Sequence, residues 1–105
     1  MGCEYLFELK EIDENSMREL MRKMRESTYY VGEGYSLCLM FRDKSIKHDW
    51  PYDVRIFFES RNLFLLETVN WNRDLFNEFN RLLSKYNYKI TEEGDDEPIT
   101  LKEIK

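Results

Sequence analysis

The chain has 105 residues, of which 42% are hydrophobic and 15% aromatic. That is enough for one domain with a core of its own, and too aromatic for a disordered segment. Its 21 acids against 16 bases give a net charge of −5, and five of those acids (Glu92, Glu93, Asp95, Asp96 and Glu97) crowd into "EEGDDE". The rest of the chain is formally neutral, which disfavours a nucleic-acid backbone as the main partner.

The opening "MGCEYLFELK" lacks the basic start and apolar stretch of a secretory signal, and Leu6 stands where a myristoylation site has Ser or Thr. No apolar run approaches the roughly 20 residues that a membrane helix needs. A cytoplasmic protein is expected, with Cys3 and Cys38 as reduced thiols; a disulfide between them is the alternative.

Residues 4–11 alternate, Tyr5, Phe7 and Leu9 against Glu4, Glu8 and Lys10, and predict a half-buried strand. Met17, Leu20, Met21 and Met24 then repeat at helical spacing. Two starts compete for this helix: Ser16 with Glu19 as a capping box, or Asp13 as cap with Ile12 stapled onto Met17. Gly32 and Gly34 mark a turn or bulge, and alternation from Tyr35 through Phe41 predicts a second strand. "DKSIKHDWPY", residues 43–52, reads as a loop. Residues 53–59 and 63–69 predict a hairpin around Arg61-Asn62.

Leu75, Phe76, Phe79, Leu82, Leu83 and Tyr86 place a second helix, started by Asn70 or Asn72 and ended by a left-handed Asn87. "YKIT" is a last strand. "PITLKEIK" fits an edge strand, a helical stub or a frayed tail. The expected fold is therefore α+β: a mainly antiparallel sheet of four to five strands in the order β-α-β-β-β-α-β, with two helices on one face, as in a ferredoxin-like variant. Residues 1–91 form the domain, and residues 92–105 an acidic C-terminal segment.

The hairpin is apolar on both faces, because the neighbours Phe57 and Phe58 point opposite ways, as do Phe64, Leu65 and Leu66. Ile99, Leu101 and Ile104, a second subunit, or another protein must cover the second face.

His48, the single histidine, sits in the loop as an expected solvated side chain. Neither zinc spacing, nor a phosphate-binding glycine loop, nor a calcium loop is present, so no catalytic residue, metal or cofactor is assigned. Arg18, Arg22 and Arg25 share a helical face, either as a solvated face or as an anion-binding stripe. Trp50, Tyr52 and Trp71 either cap the core or anchor a partner. The acid run is either a solvated linker or a lure for a basic protein.

With "TEEGDDE", the aromatic loop "DWPYD" and no nucleophile–base set, the chain resembles, as a class, the immunity proteins that bacteria pair with secreted toxins. The resemblance implies a module that binds a basic toxin domain, a nuclease among the candidates, and blocks it. Glu92, Glu93, Asp95, Asp96 and Glu97 would supply the field, with Trp50, Tyr52 and Trp71 as anchors. The rival readings are a homodimeric regulatory or ligand-binding domain joined through the second sheet face, and a small enzyme with a fold-assembled pocket of Tyr, Arg and Glu.

Overall fold

Seven strands pair into one sheet in the computed structural model, which describes residues 3–105. They are β1 (Cys3–Leu9), β2 (Tyr30–Glu33), β3 (Leu39–Phe41), β4 (Val54–Ser60), β5 (Leu63–Thr68), β6 (Tyr88–Glu92) and β7 (Pro98–Ile99). Their spatial order is β2-β3-β4-β5-β1-β6-β7. Every pairing is antiparallel, including both sides of β1, so among the described residues the sheet lacks the parallel pair of a split βαβ unit. Helices α1 (Glu14–Arg25) and α2 (Arg73–Leu83) complete an α+β fold.

The core follows from two periodicities meeting. Tyr5, Phe7 and Leu9 of β1 are buried, as are Leu39 and Phe41 of β3, Val54 and Ile56 of β4, and Phe64 and Leu66 of β5. A period of two puts these on one face. The stripes Met17, Leu20, Met24 of α1 and Leu75, Phe79, Leu82, Leu83 of α2 close onto that face in a single cluster. Aromatic rings tie strands and layers: Phe7 stacks on its cross-strand neighbour Phe64 at 4.7 Å, and Phe79 of α2 meets the edge of Phe41 in the sheet at 5.0 Å.

Of the two competing starts for α1, Asp13 is the cap, with its carboxylate accepting from the Ser16 N–H at 2.7 Å. Asn72 caps α2. Its Oδ1 accepts from the Leu75 N–H at 2.8 Å while its Nδ2 donates to Asp43 Oδ2 at 2.9 Å. One side chain thus ties the 43–53 loop to a helix end, and Asn72→Ala is expected to cost about 1.5 kcal/mol in urea unfolding, at the upper end for a lost cap because it also strips a partner from buried Asp43.

The sheet has more strands than the alternation predicts, for local reasons. β2 is short and bulged, with Gly32 at φ 134°, and "YSL" forms a turn where a continuous strand is expected. β7 has two residues, too few to show a period. α2 stops at Leu83, and Asn87 is not among the residues of positive φ, so the left-handed stop is not used.

Residues 92–105 continue the fold. They finish β6, turn, form β7 and end in a 3-10 helix (Leu101–Glu103). Leu101 and Ile104 are buried in the core cluster, Thr68 Oγ1 donates to the Lys105 carbonyl at 2.6 Å, and the Lys105 N–H donates to the Tyr5 hydroxyl at 3.1 Å. This segment therefore packs on the same side as the helices. Of the three expected covers for the second face, the C-terminal one is thereby ruled out, and within the chain much of that face stays open, with Leu6, Phe57, Leu63 and Leu65 only half-buried.

Candidate functional site

The open face is built by the alternate residues of the same strands that make the core. Cross-strand register arranges them in rows. One row runs Phe57–Leu65–Leu6–Thr91–Pro98 and is largely apolar. A parallel row runs Met40–Arg55–Glu67–Glu4. Beyond Glu4, the Glu93 N–H donates to the Glu4 carbonyl at 3.1 Å, which joins this second row to the acid run. On the other side of the apolar row, Leu63, Glu8 and Lys89 are paired in sequence. Leu6, Met40, Phe57, Leu63 and Leu65 are each only half-buried.

The charged row is unbalanced. Arg55 donates from Nε to Glu67 Oε1 at 2.7 Å, and its guanidinium lies 4.4 Å from the Tyr52 ring centroid and 5.2 Å from that of Phe57. The one cation is thus engaged by Glu67 and two rings. Glu4 and Glu93 are left facing each other, and the close approach of the Glu93 carboxyl, burial, and the repulsion of Glu93 and Glu67 hold Glu4 above the ordinary glutamate range.

The sign of the resulting pH dependence is fixed. The folded chain holds the Glu4 proton more tightly than the unfolded chain does, so stability falls as pH rises from the ordinary value of 4.5 through the raised one and recovers on acidification. Glu4→Gln is expected to stabilise the chain at neutral pH by about 0.5 kcal/mol or less. Thermal unfolding of both forms across that pH window checks this, and the advantage of the variant should vanish at acid pH.

The acid run is a hairpin turn, not a linker. Gly94 takes φ 83°, the Asp95 N–H donates to the Glu92 carbonyl at 2.9 Å, and the Glu97 N–H to Asp95 Oδ1 at 3.0 Å. Glu92, Glu93, Asp95, Asp96 and Glu97 are all exposed, at the edge formed by β6 and β7. The fold therefore holds these charges in place, with a left-handed glycine at the one position where a side chain would be strained.

The expected aromatic anchors separate. Trp50 meets Tyr52 edge-on at 6.1 Å, and Tyr52, itself buried, donates its hydroxyl to Glu67 Oε1 at 3.4 Å, so both belong to the open face. Trp71 instead stacks on Phe79 at 5.7 Å in the helix layer, on the other side of the sheet. Trp50 is 47% exposed; Tyr35 at 94% and Leu37 at 77% are the other large apolar side chains in solvent, in a turn where Ser36 and Leu37 both have positive φ.

The loop bearing Trp50 is built on a buried carboxylate. Asp53 is fully buried, accepts from the Asp43 N–H at 2.6 Å, and is bonded to His48 Nε2. The Trp50 N–H donates to His48 Nδ1 at 3.1 Å, so that nitrogen presents its lone pair and the ring proton sits on Nε2, toward Asp53. Arg42 donates to the carbonyls of Trp50 and His48. His48 is thus a brace rather than a solvated side chain, and its partners are Asp53 and Trp50 rather than either cysteine. Cys3 and Cys38 are both free thiols. Next along the network, the hydroxyl and N–H of Ser45 and the amide of Asn72 hold the Asp43 carboxyl below its ordinary range.

Each arginine of the α1 stripe has a carboxylate partner: Arg18 has Glu14 at 2.7 Å, Arg22 has Glu26 at the helix end at 2.8 Å, and Arg25 has Glu33 of β2 at 3.3 Å. Among the described residues, no group of three His, Cys, Asp or Glu side chains is placed to hold a metal ion, and no helix is long and apolar enough to cross a membrane.

Sequence patterning misses Glu4, Leu6, Arg55, Leu65 and Glu67 as site residues. The alternation in β1 puts Glu4 and Leu6 on one face, but their union with Arg55 and Glu67 depends on β1 lying between β5 and β6, which periodicity does not encode. Comparison of the chain with protein-family models, with curated proteins and with solved structures finds no match.

Proposed function

We propose that the chain is a protein-binding module that docks a cationic partner on its open sheet face, in the manner of an immunity protein neutralising a toxin domain. The observation that supports this reading most is the acidic row Glu67–Glu4–Glu93, which continues into the hairpin Asp95-Asp96-Glu97 beside an uncovered apolar row. Apolar area supplies affinity and the acid edge supplies attraction and register. Trp50, exposed and set edge-on against the buried Tyr52, stands at the far end as the aromatic anchor.

The face selects against a second copy of itself. It carries Glu4, Glu8, Glu67 and Glu93 against Arg55 and Lys89, so two such faces would bring like charge together. A basic surface, such as the substrate cleft of a nuclease, has the opposite sign.

The test is to examine the neighbouring genes for a secreted toxin domain, whose absence counts against the reading, and to coexpress such a domain with the chain. Survival with the native chain, and a one-to-one complex on gel filtration, is the expected result. Death of the cells despite soluble chain, or a homodimer by sedimentation that buries the open face, would sink the reading.

A further inference from the structure

A second feature lies at the opposite end of the sheet from the acid hairpin. Between α1 and the β4–β5 hairpin runs a groove of about 410 Å³, floored by Met17, Met21 and Phe58, with Arg18, Arg61 and the single carboxylate Glu14 at its rim. Its size falls within the range of small-ligand sites, and it has the usual make-up of an apolar floor with few polar groups.

The groove has a local cause. A β-bulge interrupts the pairing of β4 with β5 between Phe58 and Ser60, and both residues line the opening. Bulges re-aim side chains, and here Phe58 is tilted against Phe64 at 5.7 Å while remaining only half-buried. The two methionines bring flexible, polarisable side chains that adapt to a guest.

Charge decides the guest. Arg61 is exposed and, among the described residues, has no carboxylate within salt-bridge distance; Arg18 has only Glu14, and that pair is 70% exposed on both sides. A cationic protein would be repelled from this rim. We infer that the groove binds a free, monomeric acyl carboxylate, its chain over Met17, Met21 and Phe58 and its head on Arg61. This goes beyond the protein-docking role and does not depend on it.

The experiment uses the full chain with methyl-labelled methionine, titrated with decanoate below its micelle-forming concentration. Saturable shifts of the Met17 and Met21 methyl resonances are expected, while Met24, fully buried, and Met40, on the opposite face, stay in place. Decanol should bind about tenfold more weakly than decanoate. Arg61→Gln, a change on an exposed turn, should weaken decanoate roughly fivefold and leave decanol unaffected. Absence of saturable shifts, equal affinity for acid and alcohol, or an Arg61→Gln variant that binds decanoate normally would each overturn the inference. So would capture by phosphatidylglycerol vesicles without saturable decanoate binding.

Discussion

Replacing Asp53 by alanine is expected to destabilise the chain by about 3 kcal/mol, the largest effect of any single change outside the apolar core. The carboxylate is fully buried and receives the Asp43 N–H on one oxygen and the His48 ring on the other. Removing it strands the buried Asp43 N–H and the partly exposed His48 ring N–H at once. Beyond them the network runs through Asp43 to Asn72, whose Oδ1 caps α2, so damage at Asp53 spreads to a helix end. Urea unfolding followed by circular dichroism gives the loss directly. Asp53→Asn keeps one acceptor and should lose about half as much. His48→Ala, at a partly exposed position, should lose about 1 kcal/mol yet free the Trp50 N–H, and Trp fluorescence should report the released loop. An Asp53→Ala chain as stable as the native one would mean that the loop finds another support.

The second large effect is kinetic. Converting Glu92, Glu93, Asp95, Asp96 and Glu97 to amides takes the acids from 21 to 16, equal to the bases, and abolishes the net charge. The side chains are exposed and the turn is held mainly by backbone groups and Gly94, so the fold should survive. Association with the cationic partner proposed above should slow by at least about tenfold at low salt, and the difference should shrink as salt approaches about 1 M, where charges are screened within about 3 Å. Dissociation should change less, because the apolar row Leu6, Leu65 and Phe57 stays intact. Stopped-flow mixing at several ionic strengths separates the two rates. If the amide form associated at the native rate in low salt, the acid hairpin would have no part in recognition.

A Leu65→Lys change offers the complementary view. It leaves the hairpin charge untouched and places a cation in the centre of the apolar row, between Leu6 and Phe57. The residue is half-buried and on the open side, so the fold should tolerate it, whereas a docked partner would bury the new charge. Complex formation should drop by about 2 kcal/mol or more, seen as faster dissociation.

Much of this architecture is legible in the sequence because it rests on local periodicity. Helix α1, helix α2 and the Val54–Thr68 hairpin all follow from spacing that acts within a few residues, while of the two caps open to each helix the folded chain uses Asp13 and Asn72. The two-sided apolarity of that hairpin, visible in Phe57-Phe58 and Leu65-Leu66, already implies a second face in need of a cover. The excess charge is equally plain, since it is a sum over the chain.

Tertiary structure alone decides where those features meet. Residues 92–105 have too few apolar positions to reveal that Leu101 and Ile104 enter the helix-side core and leave the other face bare. Trp50 and Trp71 look alike in sequence, each beside polar residues, yet one lies on the open face and the other in the helix layer. The acidic row brings together Glu4 of β1, Glu67 of β5 and Glu93 just past β6, segments distant in the chain, because β1 lies between β5 and β6. Periodicity tells each side chain which way to point relative to its own strand. Which strand lies alongside is settled by long-range pairing, where the free energy of burial is summed over the whole sheet.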